Sequence, residues 1–153
     1  LKDWQISVVM LIGSALNILA VYLASVIGKR CSALKLFPSV VLLTGACYLL
    51  SYFGTPIIYI LIYLISNALY ALFQPIFDND LQKQLPSEVR ATMLSVYSMM
   101  FSMSMIVIFP VTGWLIDYFG FDWTFIVLGG FLLAATPFLY MGLKKISQNL
   151  QEV

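Results

Sequence analysis

Histidine is absent from this chain of 153 residues. Its absence removes Ser-His and Cys-His nucleophilic arrangements and every histidine-based metal site. Charge is also scarce. Only 10% of the residues are charged, where soluble domains carry roughly 25%. The two cysteines, Cys31 and Cys47, form neither a CxxC nor a paired framework and read as free thiols. There is no Gly-rich phosphate loop and no basic stripe of the kind that binds nucleic acid. No acid lies deep within an apolar run. Asp78, Asp80 and Glu88 share one connection, and Asp117 and Asp122 share another. Asp78-Asn79-Asp80 has the form of a metal-binding DxD, but two carboxylates at a helix end read as solvated or capping groups. The sequence therefore implies no cofactor and no metal.

What the chain has instead is apolar length. Hydrophobic residues make up 61% of it. They gather in five stretches, 6–27, 36–53, 56–77, 91–116 and 123–143. A helix rises 1.5 Å per residue, so about 20 residues cross a hydrocarbon core of about 30 Å. The composition predicts an all-α integral membrane protein, a polytopic bundle of five transmembrane helices with the lipid bilayer as its solvent. It leaves no room for a soluble catalytic domain. The first residue is Leu1, with no basic leader region or cleavage site after it, so the first stretch does not read as a signal peptide. The chain is expected to be a piece of a longer protein.

The basic residues orient the spans. Lys29, Arg30 and Lys35 follow the first, Lys83 and Arg90 the third, and Lys144 and Lys145 the fifth, whereas Lys2 stands alone at the other side. Basic residues in short loops mark the cytoplasmic face. The N-terminus is expected outside and the C-terminus in the cytoplasm. Trp4, Trp114 and Trp123 fall at the expected outer boundary, a level tryptophan prefers. Gly54-Thr55-Pro56 is expected to break the chain between spans two and three, with Pro56 opening the next helix. The stretch from Asp78 to Arg90 is expected to be the longest inner connection, with Ser87 capping the fourth helix and Glu88 in its first turn.

Span three carries the clearest pattern. Tyr59, Tyr63, Asn67, Tyr70 and Gln74 are spaced by four, four, three and four. At about 100° per residue they occupy an arc of about 80°. A lipid-facing helix needs no polar stripe, so this one is expected to face protein or a water-filled cavity. Hydrogen bonding to a neighbouring span is the competing reading, above all for Asn67. Span one has a weaker polar side, on which Asn17 sits near mid-membrane and is costly unless paired. Small residues on spans one and four suit close packing. On span five, Gly130 and Ala134 read as a packing notch. The span-four methionines Met93, Met99, Met100, Met103 and Met105 are spread round the helix and read as packing and lipid contact.

Two segments carry a family resemblance. Leu85-Pro86-Ser87-Glu88-Val89-Arg90-Ala91-Thr92-Met93-Leu94-Ser95 resembles the run that enters the eleventh helix of major facilitator superfamily transporters. Pro110-x-x-Gly113-x-x-x-Asp117-x-x-Gly120 is similar to the end of that same helix. Pro75 and Asn79 stand where the tenth helix of such proteins often has Pro and Asn. The segment Gly28 to Lys35 is similar to the family's basic loop between helices eight and nine, although the motif's aspartate is missing.

The resemblance implies helices eight to twelve of a twelve-helix secondary transporter, part of the superfamily's general-substrate-transporter fold. Helix seven and the N-terminal half would be missing partners. It implies alternating access for a small solute, a drug or a metabolite. Tyr59, Tyr63, Asn67, Tyr70, Gln74 and Asn17 would line the substrate path, and Arg90 would stand at the inner gate, paired with an inner acid or serving as a positive anchor. A proton-driven carrier needs an intramembrane carboxylate or histidine, which these spans do not supply. A membrane-embedded lipid-modifying enzyme and a non-transporting scaffold subunit are the other classes open to such a chain.

Overall fold

The computed structural model describes the backbone of residues 3–151 and the side chains of 4–142. Lys2 lies outside that range, as do the side chains of Lys144 and Lys145. Among the described residues the regular structure is helical: α1 is Asp3–Ile27, α2 Ala33–Leu49, α3 Pro56–Gln84 and α4 Arg90–Gln151. A short 3-10 turn, Leu50–Phe53, extends α2. Gly54 then takes a left-handed φ of 60°, Thr55 is extended, and Pro56 opens α3. Proline suits that first position because its missing N–H has no helical partner there anyway.

Four of these helices are long and apolar enough to cross a membrane, so the expected count of five spans is not shown. The difference is confined to one place. The connection expected over Asp117–Asp122 is not a loop: two helical stretches meet at a kink at Gly120 within one apolar segment, Arg90–Gly142. Only Gly120 departs from helical geometry, at φ 81° and ψ 170°.

Two other boundaries move. The third helix runs on to Gln84, so the expected inner connection shrinks to Leu85–Val89. Hydropathy locates where apolar residues stop, whereas the polar residues Asp78 to Gln84 go on forming helix. The fourth helix begins at Arg90 instead of Ser87. Pro86–Val89 forms a turn closed by the Val89 amide donating to the Pro86 carbonyl at 3.2 Å.

The packing has a definite polarity. α1 and α3 run parallel: Gly13 lies against Tyr63, Asn17 meets Asn67, and Gly28 meets Ile76. α2 runs antiparallel to the part of α4 beyond Gly120. Gly45 faces Gly129 and Leu133, Tyr48 meets Phe125 edge-on at 5.3 Å, and the Ser51 hydroxyl donates to the Asp122 carbonyl at 3.0 Å. A Cβ placed on Gly129 would sit 2.9 Å from the Gly45 carbonyl oxygen, so this crossing requires glycine. The notch is therefore Gly129. Gly130 is exposed with nothing near it, and Ala134 is exposed too. One residue along a helix turns a side chain by about 100°.

The buried core is small and sits at one end, where Ala24, Ala33 and Ile76 pack with Leu72, Phe73 and Phe77. Most large apolar side chains are exposed, among them Leu11, Ile18, Ile106 and Phe138. Lipid tails solvate such a surface as well as a protein interior does. This is an all-helical membrane bundle.

Candidate functional site

The α3 stripe borders a cavity of about 780 Å³. Tyr59, Tyr63, Asn67 and Tyr70 line it from α3, together with Ser66. Val40, Thr44 and Tyr48 line it from α2, and Phe121 and Phe125 from the start of the last helical stretch. No charged side chain lines it. Ring contacts join its walls: Tyr59 meets Phe121 at 6.4 Å, and Phe121 stacks near Phe125 at 6.4 Å.

The same stripe also serves helix packing. The Asn17 amide Nδ2 donates to Asn67 Oδ1 at 3.3 Å, joining α1 to α3. Asn17 is thus placed behind the wall and does not line the cavity. Gln74, last of the stripe, is exposed and also outside the lining. Two buried oxygens in this region lack a partner, Asn17 Oδ1 and Ser66 Oγ. Ser66 stands about 100° from Asn67, off the stripe, which is why periodicity does not single it out.

A cavity of this size, walled by aromatic rings with a few convergent polar groups, is the usual form of a small-molecule site. The Major Facilitator Superfamily model matches residues 3–150 of the chain. The protein belongs to the major facilitator superfamily. No curated protein and no solved structure matches it. Membership places it in a family of membrane transporters and agrees with its apolar helices.

The end of the bundle near Asp80 and Arg90 holds the remaining expected residues of this superfamily member. Arg90 is exposed and donates to the Leu85 carbonyl at 3.2 Å. Among the described residues it has no acidic partner. Asp80 does what sequence alone assigned only loosely to capping. Its Oδ2 accepts from the Ala33 amide at 2.7 Å and so caps the first turn of α2 across 47 positions. Negative charge at a helix N-terminus is favoured by the helix dipole. Lys29, Arg30 and Lys35 around that end are all exposed. No group of three or more potential ligands that could hold a metal ion occurs among the described residues.

Proposed function

We propose that the chain is helices eight to twelve of a secondary transporter that moves a small uncharged or amphipathic solute, a drug or metabolite, by alternating access. One observation carries this reading. In a member of a transporter superfamily, Tyr59, Tyr63, Asn67 and Tyr70 line one uncharged cavity from a single helix face. Asn17 contributes through Asn67, and Gln74 extends the stripe toward the inner end.

Five crossings support the assignment better than four. A continuous helix of 53 apolar residues would measure about 80 Å, against a hydrocarbon core of about 30 Å. Phe77 near the inner end of α3 meets Tyr97, and Tyr59 near its outer end meets Phe121. The stretch between Tyr97 and Phe121 thus runs back along α3. Beyond it the chain pairs antiparallel with α2. A reversal at Gly120 satisfies both sets of contacts. The basic connections then lie on one side, taken as cytoplasmic.

Arg90 serves this design as an inner-side anchor next to its own turn. Membership in the superfamily favours transport over a lipid-modifying enzyme or a scaffold. The test is solute uptake or efflux by the intact protein reconstituted in vesicles, comparing wild type with Tyr63→Phe and Asn67→Leu. Lowered transport by both variants at equal protein content is expected. Unchanged transport by both would assign the stripe to packing alone.

A further inference from the structure

We infer that the cavity takes an uncharged, ring-bearing solute whose carbonyl or ether oxygen accepts a hydrogen bond from Asn67 Nδ2, and that Asn17 is the positioning residue that holds the Asn67 amide in that sense. This rests on the cavity being the solute site proposed above.

The amide geometry comes first. Asn67 uses its carbonyl oxygen to accept from Asn17. Among the described residues its Nδ2 has no partner, and it is not among the enclosed unpaired atoms. Asn67 lines the cavity, so its free group there is a donor. A donor recognises an acceptor on the ligand. With the Asn17 bond as it stands, the Nδ2 end of the Asn67 amide is the free one.

The surroundings fix the rest of the ligand. Tyr59, Tyr63, Tyr70, Tyr48 and Phe125 present ring surface, and no acid lines the wall. No acid stands in the wall to pair with a cation, so a cation would be held by ring faces alone. A flat uncharged body satisfies the rings by stacking. The polar patch is also unsatisfied as it stands. Ser14, Thr44 and Thr136 donate back to carbonyls of their own helices. Ser66, next to Asn67 on the cavity wall, makes no such bond.

Three naphthalene probes of similar shape separate the terms: acetylnaphthalene, with a carbonyl acceptor; isopropenylnaphthalene, its isostere without one; and the trimethyl(naphthyl)ammonium cation. Equilibrium binding to the intact purified protein is measured by calorimetry. Wild type is expected to prefer the acetyl probe over the isopropenyl probe by on the order of three- to tenfold, with the cation weakest. Asn67→Leu and Asn17→Leu are both expected to bring that preference close to one. A packing defect would weaken both uncharged probes alike and leave their ratio unchanged. A ratio unchanged in either variant, or a cation bound as tightly as the acetyl probe, overturns the inference while leaving the cavity as a solute site. If no probe binds wild type saturably, the inference and the proposed solute site fall together.

Discussion

Asn17 and Asn67 lie 50 positions apart in the chain, yet their amides meet at 3.3 Å between two parallel helices. One bond joins the two amides, and Asn17 Oδ1 keeps no partner. Hydrogen bonds of this type inside membranes contribute about 0.6 kcal/mol on average. A double-mutant cycle with Asn17→Leu and Asn67→Leu, read by unfolding of the intact protein in micelles, is expected to give a coupling of about that size. Strict additivity would show that the two amides do not stabilise the fold together.

The crossing of α2 with the last helical stretch gives a sharper contrast. Gly129→Ala drives a methyl to within 2.9 Å of both the Gly45 carbonyl oxygen and Tyr48 Cβ. A cost of about 1–3 kcal/mol is expected from such overpacking. Gly130→Ala meets nothing within 4 Å and replaces a poor helix former with a good one, worth about 0.5–1 kcal/mol. Thermal unfolding of the two variants should therefore move in opposite directions, from neighbouring positions.

Asp80 caps α2 from outside it, so removing its carboxylate should loosen the end of the bundle where α2 begins. Asp80→Ala is expected to cost about 0.5–2 kcal/mol, the range for lost N-caps. Asp80→Asn keeps an acceptor oxygen and should lose less. Melting temperatures of the two variants, with thiol labelling of Cys31 near the same end, check this. Equal melting of wild type and Asp80→Ala would remove the cap from the account.

Gly120 holds a backbone conformation, φ 81° and ψ 170°, that is open essentially to glycine alone. Gly120→Ala is expected to destabilise by about 1–3 kcal/mol. The orientation can be read in the same region. Cysteines introduced at Asp117 and at Lys83 should react with a membrane-impermeant thiol reagent from opposite sides of intact cells. Labelling from the same side would contradict a crossing between them.

The membrane class and the stripe on α3 were both visible in the sequence, because hydropathy and a 100° period are local properties. The residues that the stripe meets were not. Asn17 stood out as a polar residue that needed a partner, but only the parallel packing of α1 and α3 supplied Asn67. Asp78 and Asp80 suggested capping, while the capped helix lay 47 positions away. Tyr48, Phe121 and Phe125 complete the cavity, yet aromatics are too frequent here, at 15% of residues, for any three to stand out. The Gly129 notch was missed by one position, since residue type alone does not tell which of two adjacent glycines faces the neighbour. Hydropathy also set the end of α3 too early, because polar residues there remain helical beyond the apolar run.

The Gly54–Thr55 turn and the Gly120 kink place very little chain beyond the helices at their shared end. A protease or an antibody arriving from that side would find two non-helical residues at one turn and one at the other. The opposite end offers the connections 28–32 and 85–89, several residues each. Reporter tags and affinity handles belong there. At the sparse end, the ring contact of Tyr59 with Phe121 lies beside the Gly120 kink.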